Sequence, residues 1–233
     1  MIAGVAAAAA ATAGVALLLA PHGADAFIVQ RLVADPASAA LEHDAALVNA
    51  WGLAASPTGP WWTANEARGV SSLFAGDGNP QTLSVTVDGG STGIVFNGGK
   101  SFAVRENGVS APARFLYACE DGRIRGWSPV VPHGWSKVAV VAVDEGAKGA
   151  IFRGLALATL ADGSQRLYAT DFHNGRVFVF DGRWRRIVRR GAFVDHAIPS
   201  WYSPFGIKVI GRPVFVTFAS PAPVNGNDSP TGG

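Results

Sequence analysis

Three features of the sequence predict an all-β chain folded as a β-propeller of four-stranded antiparallel blades. Apolar residues come in runs of about five, rich in Val, Ile, Phe and Tyr, which suits buried pleated strands better than helix. The runs are separated by turns such as Ala161-Asp162-Gly163-Ser164 and Phe172-His173-Asn174-Gly175, where Gly and Asn accept the positive φ of tight hairpins. Finally, one opening recurs. Trp51-Gly52-Leu53-Ala54, Thr92-Gly93-Ile94-Val95, Arg153-Gly154-Leu155-Ala156 and Phe205-Gly206-Ile207-Lys208 each place a Gly before Leu or Ile at the start of a strand.

Each opening leads through a turn into a second apolar strand, expected at Trp61 to Ala64, Ser101 to Val104, Arg166 to Thr170 and Val214 to Phe218. The openings lie about 40 to 60 residues apart, the span of a propeller blade and too long for a leucine-rich or ankyrin unit. A β-sandwich would also supply alternating runs and turns, but it predicts no shared wording at the strand starts. A single blade cannot bury both faces, so blades stacked about an axis remove each other's apolar surface from water, with small residues on the crowded inner strands. About four blades of the NHL/TolB-like kind are expected, forming an incomplete ring. The last recognisable strand, Val214 to Phe218, is only the second of its blade. An open blade edge of this kind is expected to self-associate.

In chain order, residues 1–26 read as a signal peptide: Ile2 to Ala20 carries no charge and Ala24-Asp25-Ala26 offers a small-x-small cleavage pattern, although no Lys or Arg precedes the apolar core. The mature chain is then expected to begin at Phe27 and to be exported, periplasmic or extracellular, with no stable membrane insertion after cleavage. Cleavage removes one aspartate and leaves 207 residues with 19 Lys and Arg against 16 acidic groups, a balance that does not argue for nucleic acid. The propeller is expected over 27–219, and 220–233, mostly Pro, Gly, Asn, Asp and Ser, as a disordered or truncated tail. Phe27 to Val33 reads as a lone strand able to pair with the last blade. The interval Gly93 to Gly154 exceeds one blade and fits either a blade with an extra strand or parts of two. The basic run Arg183, Arg185, Arg186, Arg189 and Arg190 reads as a solvated outer hairpin, with an anionic or polysaccharide contact as the rival. Cys119 is a lone cysteine in an apolar strand, a packing residue with no base beside it.

Asn49 to Pro57, Thr92 to Asn97, Glu120 to Trp127 and Tyr168 to Gly175 carry a resemblance to an uncharacterised family of exported bacterial proteins related to NHL-repeat and TolB-like six-bladed propellers. The resemblance covers nearly all of the mature chain and implies the fold, but no established activity. Members of that family typically continue with further blades, so the resemblance implies a C-terminally truncated chain. Gluconolactonase-like propellers, a broader resemblance, imply a divalent cation such as calcium in the channel mouth, held partly by an Asn just ahead of an inner-strand Gly. Here the residues ahead of the four glycines are Trp51, Thr92, Arg153 and Phe205, none a good ligand.

Among side chains that could carry chemistry, Asp171 and His173 form a carboxylate–imidazole pair two residues apart in a turn; the alternative is an Asp that bonds its own turn backbone beside a solvated His. Trp201 and Tyr202, in a loop entering an inner strand, could stack on a sugar ring, while large aromatics elsewhere wedge between blades. No nucleophile elbow, zinc-protease, phosphate-loop or dinucleotide motif occurs. The sequence therefore points first to a non-enzymatic scaffold that binds a protein or glycan through its channel or loop face. A metal-assisted hydrolase or lactonase using Arg153, Asp171 and His173 is the second reading, and a nonfunctional gene fragment the third.

Overall fold

The computed structural model describes residues 29–188 and 191–220. Residues 1–31 and 32–233 form separate units, and the architecture below is that of the second. The expected signal peptide, Phe27, Arg189, Arg190 and all of the expected tail except Ser220 lie outside the described residues.

Two short strands, β1 (Val33–Ala34) and β2 (Glu42–His43), pair in parallel with each other. Of the strand expected over Phe27 to Val33, residues 27–28 lie outside the described residues, 29–32 are not strand, and only Val33 enters one; Leu32 O and Ala34 O accept the amides of Glu42 and Asp44.

The first blade comprises β3 (Ala50–Ala55), β4 (Trp61–Asn65), a broken third strand formed by β5 (Val70–Ser71) and β6 (Leu73–Phe74), and β7 (Val85–Thr86). The break falls at Ser72, whose carbonyl accepts both the amide and the hydroxyl of Thr63. The second blade orders β8 (Ser91–Phe96), β11 (Phe115–Cys119), β12 (Arg123–Trp127) and β13 (Val140–Asp144), with a separate hairpin of β9 (Ala103–Glu106) and β10 (Val109–Pro112) inserted after β8. Gly93 to Gly154 is thus one blade with an inserted hairpin.

The expected second strand of this blade, Ser101 to Val104, belongs largely to that insertion, and Phe115–Cys119 takes its place. Asn97 explains the detour. Its buried amide donates to Ser101 O at 2.8 Å and Ala113 O at 2.9 Å while its oxygen accepts from Gly99 N at 3.0 Å, tying the two ends of the insertion together. Phe102 and Val104 then enter the core from the insertion, which is why they alternate like a blade strand.

The third blade is β14 (Phe152–Thr159), β15 (Gln165–Asp171) and β16 (Arg176–Asp181), with a bridge between Phe180 and Arg186 at the fourth-strand position. The fourth contains β17 (Ser203–Val209) and β18 (Val214–Ala219).

The glycine-led strands β3, β8, β14 and β17 stand side by side in that order, and the reason they open with Gly is geometric. A Cβ on Gly52 would lie 2.7 Å from both Thr92 O and Ile94 Cγ2. One on Gly93 would lie 2.7 Å from Leu155 N, and one on Gly154 2.7 Å from Phe205 O and 3.0 Å from Ile207 Cγ2. Each Gly is a hole that admits the apolar residue following the Gly of the next blade, so inner strands approach more closely than any side chain permits. Antiparallel blades arrayed with their first strands innermost make the fold a β-propeller.

Threonine hydroxyls add a polar clasp between blades. Thr170 Oγ1 accepts from Gly154 N at 2.7 Å and donates to Phe205 O of the next blade at 2.6 Å, and Thr92 Oγ1 lies 3.0 Å from Phe152 O. Thr170→Val keeps the volume but leaves an amide and a carbonyl without this partner, so it is expected to cost about 1–3 kcal/mol, read as a shift in the urea midpoint at unchanged slope.

Two apolar clusters hold the row. Trp62, Val85, Ile94, Phe115, Tyr117 and Trp127 fill the first interface, with Trp62 stacked on Phe115 at 4.1 Å, and Leu116, Phe152, Leu167, Phe178 and Phe180 anchor the second cluster. Each such side chain contributes roughly 1.5–3 kcal/mol on burial. Trp62 and Trp127 are therefore wedges between blades, as large aromatics in a propeller should be. Cys119 is buried in the first cluster, and burial pushes its thiol up to about 12. It should ignore a thiol reagent in the folded protein and react promptly once urea unfolds the chain.

Candidate binding site at the hub mouth

The residues ahead of the glycines share the end of the inner strands nearest the axis, and the structure brings three of them together. The Arg153 guanidinium, only 3% exposed as a residue, lies over the Trp51 ring at 5.2 Å and over the Phe172 ring at 5.7 Å. Trp51 in turn meets Phe205 at 5.6 Å, and Phe205 meets Phe172 edge-on at 5.4 Å. These residues come from the first, third and fourth blades, so their contact closes over the hub.

Arg153 forms an ion pair with Glu120, which follows β11 of the second blade. Beside Glu120 runs Gly90; a Cβ there would lie 3.4 Å from Glu120 Cγ and 3.2 Å from Glu66 Oε1, so both carboxylate-bearing side chains flank the same backbone. Asn49, held at φ 50°, donates from its amide to Glu66 at 2.7 Å. A desolvated cation beside aromatic faces is stabilised by their π clouds as well as by its carboxylate partner, and it makes a rigid polar anchor. Trp51 nevertheless keeps 36% of its surface exposed. The mouth thus presents a partly exposed indole seated on a buried, ion-paired arginine.

The sequence-derived candidates divide. Arg153 lies at this mouth. Asp171 is wholly buried, and its two oxygens accept from Ile151 N, Asn174 N, Asn174 Nδ2 and Arg176 Nε at 2.9 to 3.3 Å. It is the carboxylate of its own turn, as the turn reading anticipated. His173 is exposed, with its ring 3.5 Å from where a Cβ on Gly149 would be, and it is not among the hydrogen-bond partners of Asp171. Trp201 is 66% exposed and its ring lies 6.4 Å from that of Tyr202. Both sit in the loop that delivers Phe205, beside the turn carrying Phe172: Ser203 Oγ is 3.7 Å from where a Cβ on Gly175 would be.

Calcium does not fit this donor set. Asp171 spends its oxygens on four N–H groups, Glu120 faces a guanidinium, and among the described residues no three His, Cys, Asp or Glu side chains gather as a metal cluster. Elsewhere the charges are structural. Asp121 holds Arg125 in a two-pronged pair at 2.8 and 3.0 Å and also meets Arg123 at 3.1 Å. Of the basic run, Arg185 is paired with Asp181 and Arg186 lies 4.0 Å from the Phe178 ring centre.

Trp51, Phe205, Glu120, Glu66 and Asn49 were not singled out from the sequence as ligand-binding residues. A signal existed for Trp51 and Phe205, since both directly precede an inner-strand Gly; judged only as metal ligands, they look inert. Glu120 could have been found by aligning it with Phe172, since each lies just beyond the second strand of its blade.

Fold and site together define a β-propeller with an aromatic, charge-anchored hub mouth. No protein-family model matches the chain. Two uncharacterised proteins of Acanthamoeba polyphaga mimivirus are similar to it: one is 29% identical over 207 residues, 84% of this chain and 49% of that protein, and the other 24% identical over 127 residues, 53% and 22%. The chain thus spans about half the length of the first and about a fifth of the second. Among solved structures, glutaminyl cyclase of Myxococcus xanthus aligns at 17% identity and a TM-score of 0.39, covering 72% of this chain and 67% of that one. The PQQ-bound aldose sugar dehydrogenase of Streptomyces coelicolor aligns at 12% and 0.33, covering 80% and 81%.

Proposed function

We propose that the protein is an exported binding scaffold that takes a glycan at the hub mouth. The observation that carries this reading is Trp51: a partly exposed indole fixed on one side by a buried, ion-paired Arg153 and on another by Phe205. Sugar rings present C–H faces that stack on such an indole and hydroxyls that bond to neighbouring amide and carboxylate oxygens, here those of Asn49, Glu66 and Glu120. Trp201 and Tyr202 extend the aromatic rim.

A glycan array followed by titration calorimetry tests the reading. Trp51→Ala should weaken any glycan found by about tenfold or more, and Trp201→Ala by less, because its ring is not anchored. Binding unchanged in both variants, or an array without a single ligand, would overturn it. The export component is supported by the uncharged stretch from Ile2 to Ala20 and the Ala24-Asp25-Ala26 pattern. The intact mass of protein secreted from a suitable host should correspond to a chain starting at Phe27.

A further inference from the structure

We propose that the hollow between the second and third blades, at the far end of the inner strands from the hub mouth, binds a sugar bearing a sulfate or phosphate ester. β8 and β14 carry Thr92 and Arg153 near their starts and run to Phe96 and Thr159. The chain beyond each strand builds a wall: Gly98 to Ser101 on one side, and the turn before β15 with Gln165 and Arg166 on the other. The turn from Asp181 to Arg185, beyond β16, is the third wall. These walls are fastened together. Phe102 N donates to Gly182 O at 2.7 Å and Trp184 Nε1 to Ala103 O at 2.8 Å, so the hollow is formed before a ligand arrives.

Its charge is unbalanced. Lys100, Arg166, Arg183 and Arg185 line it against Asp162 and Asp181, four cations to two carboxylates, an excess as large as the formal net charge of +2 on the whole chain. Both carboxylates are spent on their own turns. Asp162 accepts from Ser164 N and Oγ at 2.9 and 2.7 Å, and Asp181 from the amides of Arg183 and Arg185 at 2.9 Å and from Arg185 Nε at 2.7 Å. Unlike Arg185, the other three cations form no ion pair with a described residue, and Lys100 and Arg183 are exposed. Arg166 donates to Gln165 O at 2.9 Å, which positions its guanidinium without neutralising it. Cations on three separate walls suit a tetrahedral oxyanion, whose oxygens point in several directions, better than a flat carboxylate.

Gln165 lies where this hollow, about 530 Å³, adjoins a second of about 570 Å³, and it lines both. It is only 9% exposed, and a Cβ on Gly99 would lie 2.5 Å from its Oε1, yet its carboxamide makes no hydrogen bond to a described residue. Burying an amide without a partner is costly, and a ligand oxygen on its N–H group would offset that cost. The space exceeds what a lone oxyanion fills and suits a small organic body. Ser101 and Thr159 supply hydroxyls there, and Phe96 and Leu157 an apolar side, the mixture that a sugar ring requires. The site needs no ligand at the hub mouth.

Titration calorimetry with glucose 6-sulfate, glucose 6-phosphate, inorganic sulfate, inorganic phosphate and glucose tests this. Both esters should bind at least about tenfold tighter than glucose and than either free anion, and their affinity should fall as salt rises. Replacing Lys100→Ala and Arg183→Ala together changes two exposed residues, so the fold, followed by far-ultraviolet circular dichroism, should persist while ester affinity falls about tenfold or more. Gln165→Leu keeps the volume and removes the amide. Ester affinity should then fall several-fold while the urea midpoint holds or rises, which separates a ligand contact from a packing role. Esters that do not bind, glucose or the free anions binding as tightly as the esters, or ester affinity indifferent to all three substitutions would overturn the proposal.

Discussion

Gly154→Val should lower stability by about 3 kcal/mol or more, the largest loss expected from any single change on the inner strands. The added branch would enter the space of Phe205 O, Ile207 N and Ile207 Cγ2, which stand 2.7, 2.9 and 3.0 Å from the first carbon alone. Two of these atoms are backbone and cannot rotate away, so relief requires β17 to move off β14. That movement would stretch the Thr170 clasp to Phe205 O and separate Phe205 from Phe172, so the damage would spread from packing to hydrogen bonding. Gly163→Ala supplies the contrast. Gly163 has φ 79°, so Ala there is strained, but a Cβ would meet no atom within 4 Å, and the cost should stay near 1–2 kcal/mol. Chemical denaturation of the two variants checks the difference; equal losses would mean that crowding between blades is not what makes Gly154 necessary.

The same glycines show how much of the fold was legible in the sequence. A Gly–Leu or Gly–Ile opening is a local word, and the constraint behind it, backbone against backbone in the next blade, is repeated at every interface, so it stands out by repetition. Turn carboxylates were legible for a similar reason: the partners of Asp171 lie mostly within five residues of it. The inserted hairpin was not. Phe102 and Val104 are buried and alternate as a blade strand would, and only the side chain of Asn97, which joins Ser101 to Ala113, reveals that the chain leaves and returns. The hub mouth was hidden because Trp51, Glu120, Arg153 and Phe205 are distant in the chain and ordinary in type; what makes them a site is convergence, which no local pattern encodes.

Asp171→Ala should cost about 1–3 kcal/mol and should also weaken binding at the hub mouth, and the two effects should travel together. Ile151 N and Asn174 N would lose a buried acceptor, and Arg176, whose Nε lies 3.0 Å from Asp171 Oδ2, would lose its counter-charge. Arg176 is partly exposed and can rehydrate, so the acceptor lost to the two part-buried amides sets most of the penalty. The turn they support carries Phe172, which stacks edge-on with Phe205 and lies beneath the Arg153 guanidinium. Asp171→Asn keeps an acceptor oxygen but not the charge, and should fall between the parent and the Ala variant in both stability and affinity. A carboxylate acting directly on a ligand would behave otherwise, abolishing binding in Asp171→Asn while leaving the unfolding midpoint in place. Measuring midpoint and affinity on the same three proteins separates the two roles: proportional losses place Asp171 in the scaffold under the site, and a lost affinity with an unmoved midpoint would place it in the site itself.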